Sequence, residues 1–205
     1  MKIFSYVVDR DIGFAPNPFF DFCTLATCKP DIRKFAEVED WVIGTSSTTI
    51  NKPRHIIFAM KVTEKMTFNE YWNDPRFANK KPFLFGSRKY QYGDNIYYQE
   101  NEEWFQLPSH HTEEDGTLNL LNLKKDTKSE HVLISDHYYY FGNNCIPIPF
   151  ELEQIIKKRR GHKYVNTELH QQLLNLLKEY TPGIHGTPLL WEFLSLKNKQ
   201  LTLTF

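Results

Sequence analysis

The 205-residue chain lacks most features that assign a protein to a class at first sight. It has no net charge, because 25 Lys and Arg balance 25 Asp and Glu, which excludes a globally basic nucleic-acid binder. No apolar run approaches the about 18 residues of a membrane span, and the first residues show no signal-peptide pattern. Three cysteines cannot form a paired disulfide framework, so we expect a cytoplasmic protein with reduced thiols.

Familiar catalytic motifs are also missing. The chain contains no G-x-S-x-G, no P-loop and no G-x-G-x-x-G. Ser135, Asp136 and His137 follow one another on a predicted strand, where adjacent side chains point to opposite faces, so they do not form a triad.

The cysteines give no metal-site pattern. Cys23 and Cys28 are separated by four residues and no second cysteine pair follows, whereas His110, His111 and His137 are remote in the sequence. A structural zinc site usually shows four ligands at tight spacing, so we expect buried thiols, no metal and no cofactor.

Strands and short helices alternate through about residue 145, and helical patterns dominate afterwards. Strands are predicted at 2–9, 55–64 and 131–142, a capping box at 67–70 predicts a short helix, and further helices are predicted at 151–160 and 167–180, with a closing strand at 201–205. We therefore predict one α+β domain over 1–205. Its core, within about 1–145, is a small, curved, mainly antiparallel sheet or a barrel, and a helical extension from about 150 to 205 covers it.

Aromatic residues, by contrast, are abundant, at 15% of the chain. In segment 75–93 they alternate with five Lys and Arg and no acid, a combination that suits a nucleotide or a single strand. A solvated loop whose aromatic rings pack into the core explains the same pattern. A second basic run, 157–160, either binds a phosphate backbone or complements a helix C-terminus.

Several motifs resemble one family. They are GFAPNPFFDFCTLATCKP (13–30), VEDWVIGTS (38–46), DPRF (74–77), GDNIY (93–97) and VLISDHYYYFG (132–142). Together they resemble the second type of nucleotide modification associated domain over most of the chain. Members usually have a glycine where this chain has Glu39, which concerns the tightness of that turn. A weaker architectural resemblance is to PUA-like folds of the EVE kind, which hold an extruded base in an aromatic pocket.

The resemblance implies a role beside base modification, in a modification or phage-defence system, with a modified base in DNA, RNA or a free nucleotide as the partner and no membrane. We predict a binding module with a basic rim. Its base-binding residues are Asn17, Trp41, Tyr92, Asp94 and Asn95, and its phosphate-binding residues are Lys29, Arg76 and Arg88.

Two alternatives stay open. The first is an enzyme acting on a modified base or nucleotide, such as a glycosylase, hydrolase or transferase, with Asp74 or Asp94 as the catalytic carboxylate. The second is a scaffold that binds other proteins.

Overall fold

The computed structural model describes residues 1–48, 52–157, 161–165 and 168–192. Along these residues the strands are β1 (Ile3–Val8), β2 (Cys23–Leu25), β3 (Trp41–Ser46), β4 (His55–Lys61), β5 (Glu64–Thr67), β6 (Tyr97–Glu100), β7 (Glu103–Gln106), β8 (His131–Ser135), β9 (His137–Tyr140), β10 (Ile146–Pro147), β11 (His162–Val165) and β12 (Gly183–Ile184). The α-helices are α1 (Pro30–Phe35), α2 (Phe68–Asn73), α3 (Arg88–Gln91), α4 (Leu120–Asp126) and α5 (Leu169–Leu177), with 3-10 helices at Pro75–Lys80, Gly142–Asn144 and Phe150–Ile155.

The largest sheet is open and mixed. Its strand order is β11-β1-β3-β4-β9-β12, and β10 pairs with the end of β4. β1 pairs with β3 and β9 with β12 in parallel, whereas the other pairs of this sheet are antiparallel. β3 and β4 are almost wholly buried, as expected of strands covered on both faces.

Two smaller sheets lie beside it. β2, β8 and β5 form an antiparallel sheet in that order, and β6 and β7 form a hairpin. Ser135 ends β8 and His137 begins β9, so the chain passes from the small sheet into the large one across Asp136. The apolar core has two clusters, one around the large sheet and one around Phe68, Tyr71 and Phe77.

The sequence predictions are confirmed in part. The fold is α+β with a multi-strand sheet and short helices, and the capping box forms, with Glu70 N–H donating to Thr67 Oγ1 over 3.2 Å. The predicted barrel is not observed, since β11 and β12 are unjoined ends of the described sheet. The described part of the C-terminal region is less helical than expected: it supplies β11 and β12 beside α5, and the first residues of the helix expected at 151–160 lie in the 3-10 helix Phe150–Ile155.

Some predictions fall elsewhere. Residues 158–160 of the basic run and the strand at 201–205 lie outside the described residues. Among the residues described, no helix combines the length and the apolarity that a membrane crossing requires.

Candidate active site

The loop between β2 and α1 places Cys28 in an unusual backbone conformation. Cys28 has φ 57° and Lys29 has φ 40°, so two successive residues with side chains occupy the left-handed region, which is costly without glycine. Pro30 then begins α1, as the sequence predicts. Strain of this kind is often retained at functional sites.

A histidine and a carboxylate lie beside the Cys28 thiol. His111 comes from the polar loop that follows β7, and Asp126 ends α4. The Sγ atom of Cys28 lies 3.7 Å from His111 Nε2, while His111 Nδ1 lies 2.8 Å from Asp126 Oδ2. The three groups are therefore in series, with the thiol at one ring nitrogen and the carboxylate at the other.

Asp126 is held by more than the histidine. Its Oδ1 accepts the backbone N–H of Cys28 at 2.8 Å, and Tyr97 Oη donates to its Oδ2 at 3.0 Å. The side chain of Asp126 is fully buried, whereas that of His111 is 12% exposed. Three contacts on one buried carboxyl group fix its orientation, with Oδ2 directed at His111.

The charge of His111 follows from these contacts. Burial alone lowers the pKa of His111, but the hydrogen bonds to Asp126 and Cys28 outweigh it and raise the pKa to about 9. The ring is therefore mainly an imidazolium at neutral pH. An imidazolium beside a thiol stabilises the thiolate, which is the nucleophilic form of cysteine.

Arg33 fixes the backbone on both sides of this group. It is fully buried and donates from Nε to the carbonyl of Cys28 at 2.9 Å, from Nη1 to the carbonyl of His131 at 2.6 Å, and from Nη2 to the carbonyl of Asp126. The guanidinium, hydrogen-bonded to carbonyl groups, joins the loop that carries Cys28 to the end of α4. The relative position of thiol and carboxylate is thereby set by the core.

Cysteine, histidine and aspartate are also zinc ligands, and these three have donor atoms within 4.8 Å of one another. A single metal ion could bind all three residues only if one nitrogen of His111 pointed to the same position as the Cys28 thiol and the Asp126 carboxylate. Here the thiol and the carboxylate contact opposite nitrogens of His111. The arrangement fits a proton relay better than a chelating site.

An aromatic wall adjoins His111. The ring of Phe14 lies 4.7 Å from that of His111 and 5.8 Å from that of His110, and His110 lies 5.9 Å from Tyr92. Tyr92 also stacks on Trp191 at 6.5 Å. His110 is exposed and Tyr92 is partly exposed, so this wall, formed by Phe14, His110 and Tyr92, continues from the thiol centre to the surface.

Lys29, a predicted phosphate-binding residue, adjoins the same centre. Its Nζ lies 4.5 Å from the centre of the Tyr6 ring, and burial lowers its pKa. The other two predicted phosphate-binding residues have protein partners: Arg76 forms ion pairs with Glu64 and Asp74, both at 2.7 Å, and Arg88 donates to the carbonyl of Trp191.

Three of the predicted base-binding residues belong to a second, inner polar cluster. Asn17, Asp94 and Asn95 are at most 1% exposed. Asp94 accepts Thr24 Oγ1 at 2.7 Å and Tyr71 Oη at 2.8 Å, and Lys80 Nζ donates to Asn17 Oδ1 at 2.8 Å. Burial raises the pKa of Asp94 and lowers that of Lys80 to about 8.

The remaining site predictions fall in different places. Trp41 is 2% exposed and packs against Tyr139, so no face is open for stacking in this structure. Asp74 caps the 3-10 helix Pro75–Lys80 by accepting the N–H of Arg76 at 2.9 Å. Two sets of roles stay predictions: base binding by Asn17, Trp41, Tyr92, Asp94 and Asn95, and catalysis by Asp74 or Asp94. Of these residues, Tyr92 lies near the thiol centre.

Sequence reasoning missed Cys28, His111 and Asp126 as one group. Cys28 and His111 are 83 residues apart, and spacing carries no information at that distance. A local signal did exist, because Cys28 lies within the most specific motif and is followed directly by Lys29-Pro30. A surface depression of about 460 Å³ beside Phe150 and Lys163 shares no residue with the thiol centre.

The fold and the site together describe an α+β protein with a cysteine, a histidine and an aspartate aligned as in cysteine-dependent enzymes. The family of nucleotide modification associated domain 2 matches residues 1–195, and the chain belongs to that family. No curated protein and no solved structure gives a significant match to it.

Proposed function

We propose that the protein is an enzyme of nucleotide modification, in which Cys28 attacks an electrophilic carbon of a base or nucleotide. The observation that carries the proposal is the series Cys28–His111–Asp126, with the thiol 3.7 Å from one ring nitrogen and the carboxylate 2.8 Å from the other. Membership in the family supports a nucleotide as the substrate.

The residues divide the chemistry between them. His111 enters the reaction as an imidazolium with a proton on Nε2, and the Cys28 thiolate forms an S–C bond to the carbon of a C=O or C=N group. The π electron pair moves onto the oxygen or nitrogen of that group, which takes the proton from His111. The adduct collapses when that proton returns to His111 and passes on to the leaving group, which departs with its bonding electron pair. Water then attacks the carbon that is still bonded to sulfur, with His111 again carrying the proton, and restores the Cys28 thiol. Asp126 keeps the His111 ring oriented throughout.

The test begins with the thiol itself. Iodoacetamide is added at pH 6.5 to the wild type, to Cys28→Ser and to His111→Gln, and alkylation is followed by peptide mass spectrometry. We expect Cys28 to react at least about tenfold faster than Cys23 and Cys145, which are 0% and 8% exposed, and to lose that advantage in His111→Gln. A Cys28 no faster than the buried cysteines, or indifferent to His111, would contradict the proposal.

A second arm tests turnover and the metal alternative. Incubation with nucleotides and modified oligonucleotides, read by intact mass, should show an adduct or product that Cys28→Ser does not form. Stoichiometric zinc in the purified protein, lost in Cys28→Ala and Asp126→Ala, would replace the relay by a metal site. The variants Asp74→Asn and Asp94→Asn test the two catalytic carboxylates predicted from the sequence. Neither variant should change the rate of Cys28 alkylation.

A binding module for a modified base is the second candidate. The aromatic wall favours it, because half-buried rings offer faces and edges to a base. Binding of a modified oligonucleotide that is equally tight in Cys28→Ser, with no adduct or product in the wild type, would favour this function over the enzyme.

A further inference from the structure

Lys29 is a cationic side chain that has no hydrogen-bonding partner in the described part of the chain. Across the described ranges, its Nζ has no hydrogen bond and no ion pair, and its recorded contact is the face of Tyr6. The side chain is partly buried, so the missing protein partner is not fully replaced by bulk water. An ammonium group has three N–H donors, and those of Lys29 have no hydrogen-bonding partner among the described residues.

The charges around Lys29 do not neutralise it. Cys28, Asp9 and Lys125 are close enough to influence Lys29 electrostatically; Cys28 and Asp9 favour its charged form and Lys125 opposes it, and Asp9 forms no ion pair with it. Cys28 is its neighbour in the chain, and both residues share the left-handed turn. An anion bound to Lys29 would therefore lie beside the nucleophile.

The aromatic wall supplies a different kind of contact at the same centre. Phe14 packs on His111, and His110 and Tyr92 extend the wall to the surface. Rings attract a flat base, whereas an ammonium attracts a phosphate. A nucleotide carries both groups in one molecule.

We infer that Lys29 is the phosphate-binding residue of the Cys28 centre, and that the substrate is a phosphorylated nucleotide unit, free or within a strand, rather than a nucleoside or a free base. The inference rests on the proposed function for the role of Cys28. The phosphate binds at Lys29, and the base lies along the aromatic wall within reach of the thiol. Lys29, the neighbouring Cys28 and the aromatic wall, which comes from other segments of the chain, are thereby assigned to one ligand.

The experiment measures binding separately from thiol chemistry. Titration calorimetry on the full chain carrying Cys28→Ser uses the 5′-monophosphates of all common ribonucleosides and deoxyribonucleosides, the matching nucleosides, a single-stranded oligonucleotide and inorganic phosphate. We expect at least one monophosphate to bind about tenfold or more tightly than its nucleoside, as one charge-assisted hydrogen bond allows. If the oligonucleotide binds more tightly than the monophosphate, the natural ligand is a nucleotide within a strand. If it binds equally or more weakly, the natural ligand is a free nucleotide.

Three lysine variants in the same background complete the test. Lys29→Gln should remove the advantage of the monophosphate over the nucleoside, and Lys29→Arg should keep most of it. Lys34→Gln is the matched control, because Lys34 is exposed on α1 and contacts Phe35. Equal binding of nucleotide and nucleoside, no binding of any nucleotide, or an unchanged advantage in Lys29→Gln would overturn the inference.

The two failures can be told apart. Nucleotide binding that depends on Lys29, together with an unreactive Cys28, would leave the phosphate site and remove the catalytic role. A reactive, His111-dependent Cys28 with no preference for phosphate would leave the enzyme and remove Lys29 from substrate binding.

Discussion

Two polar groups in the described part of the chain, the inner cluster around Asp94 and the thiol centre around Cys28, have opposite character. The inner cluster around Asp94 and Lys80 has shifted pKa values, yet its polar side chains bond mainly to one another and to the backbone. The thiol centre around Cys28 also has a shifted pKa, at His111, but its thiol is partly exposed. A shifted pKa therefore does not by itself distinguish a structural network from an active site.

The difference lies in where the reactive atoms point. Lys80 Nζ makes three bonds to Asn17 and Phe22, at 2.8 to 3.1 Å, which use all its donors. Asp94 likewise accepts from Thr24 and Tyr71 and is fully buried. In the thiol centre Asp126 is equally satisfied, but it serves to orient His111, which faces a thiol near the surface.

The largest expected effect tests the inner cluster. Lys80→Met removes a buried cation, leaves the carbonyls of Asn17 and Phe22 without this donor, and leaves Asp94 without its nearest compensating charge. We expect a loss of about 3–5 kcal/mol of unfolding free energy, as when one partner of a buried network is removed. Urea unfolding followed by circular dichroism measures it. Cys28→Ser should cost less than about 1 kcal/mol, because the site is partly exposed.

Lys89→Met is the control for charge, since Lys89 is exposed on α3. It should leave stability almost unchanged. A Lys80→Met protein as stable as the wild type would mean that the inner cluster is not a structural network, and the comparison between the two groups would have to be drawn differently.

The next effect concerns His111 and depends on pH. The pKa of His111 is raised to about 9 in the folded protein, whereas in the unfolded chain it is near 6.5. The ion pair with Asp126 therefore makes its full contribution to the free energy of unfolding below about pH 6.5. The contribution is lost as pH rises towards 9. The wild type should therefore exceed His111→Gln by on the order of 3 kcal/mol at pH 6, and the difference should shrink through pH 9.

Unfolding titrations at four pH values from 6 to 9.5 measure this difference, with His55→Gln as the control because His55 is remote in sequence and bonds the carbonyl of Pro53. A difference between wild type and His111→Gln that is constant over the range would show that His111 is not held as an imidazolium.

A smaller effect is expected at Asp74. Its carboxylate accepts the N–H of Arg76 at the start of the 3-10 helix Pro75–Lys80, and Asp74→Ala should cost about 1 kcal/mol. Cys28 alkylation should stay unchanged. Asp74→Asn, which keeps a capping oxygen, should recover most of the stability, whereas a loss of turnover in Asp74→Asn at full stability would restore this residue as a catalytic candidate.

Local patterns in the sequence predicted local structure well. The capping box at Thr67 and the apolar run of β4 depend on neighbouring residues, and both are found. The phosphate-binding prediction for Lys29 placed that residue beside the site because the motif around it is specific, although its role stays a prediction.

The rest depends on contacts that spacing does not encode. Asn17 and Asp94 look polar and available in the sequence, but tertiary packing brings them to Lys80 and Thr24 and encloses them. Cys28 and His111 come together through two loops and the end of α4, and no pattern of residues in one segment indicates that meeting. Whether a sheet closes is equally a property of the whole chain. Of the two predicted forms, sheet or barrel, the described residues form the open sheet.

The smallest effect is expected at Glu39, where the resemblance to the family predicts a glycine. Glu39 has φ 79°, so the left-handed turn is kept without glycine, and its N–H donates to the carbonyl of Val62 at 2.8 Å. Glu39→Gly relieves the steric cost of a side chain in that conformation, about 1 kcal/mol. The change also removes the ion pair with Lys61 at 2.7 Å, which is exposed on the Glu39 side and contributes little.

Glycine also has more conformational freedom in the unfolded chain, which disfavours folding. The net stabilisation in Glu39→Gly should therefore lie between about 0 and 1 kcal/mol. Glu39→Ala, which loses the same ion pair and keeps a Cβ atom, should be no more stable than the wild type. A Glu39→Gly protein clearly less stable than Glu39→Ala would show that the ion pair and not the backbone controls this turn. Neither change should alter Cys28 alkylation, because Glu39 contacts Lys61 and Val62 and none of the residues of the thiol centre.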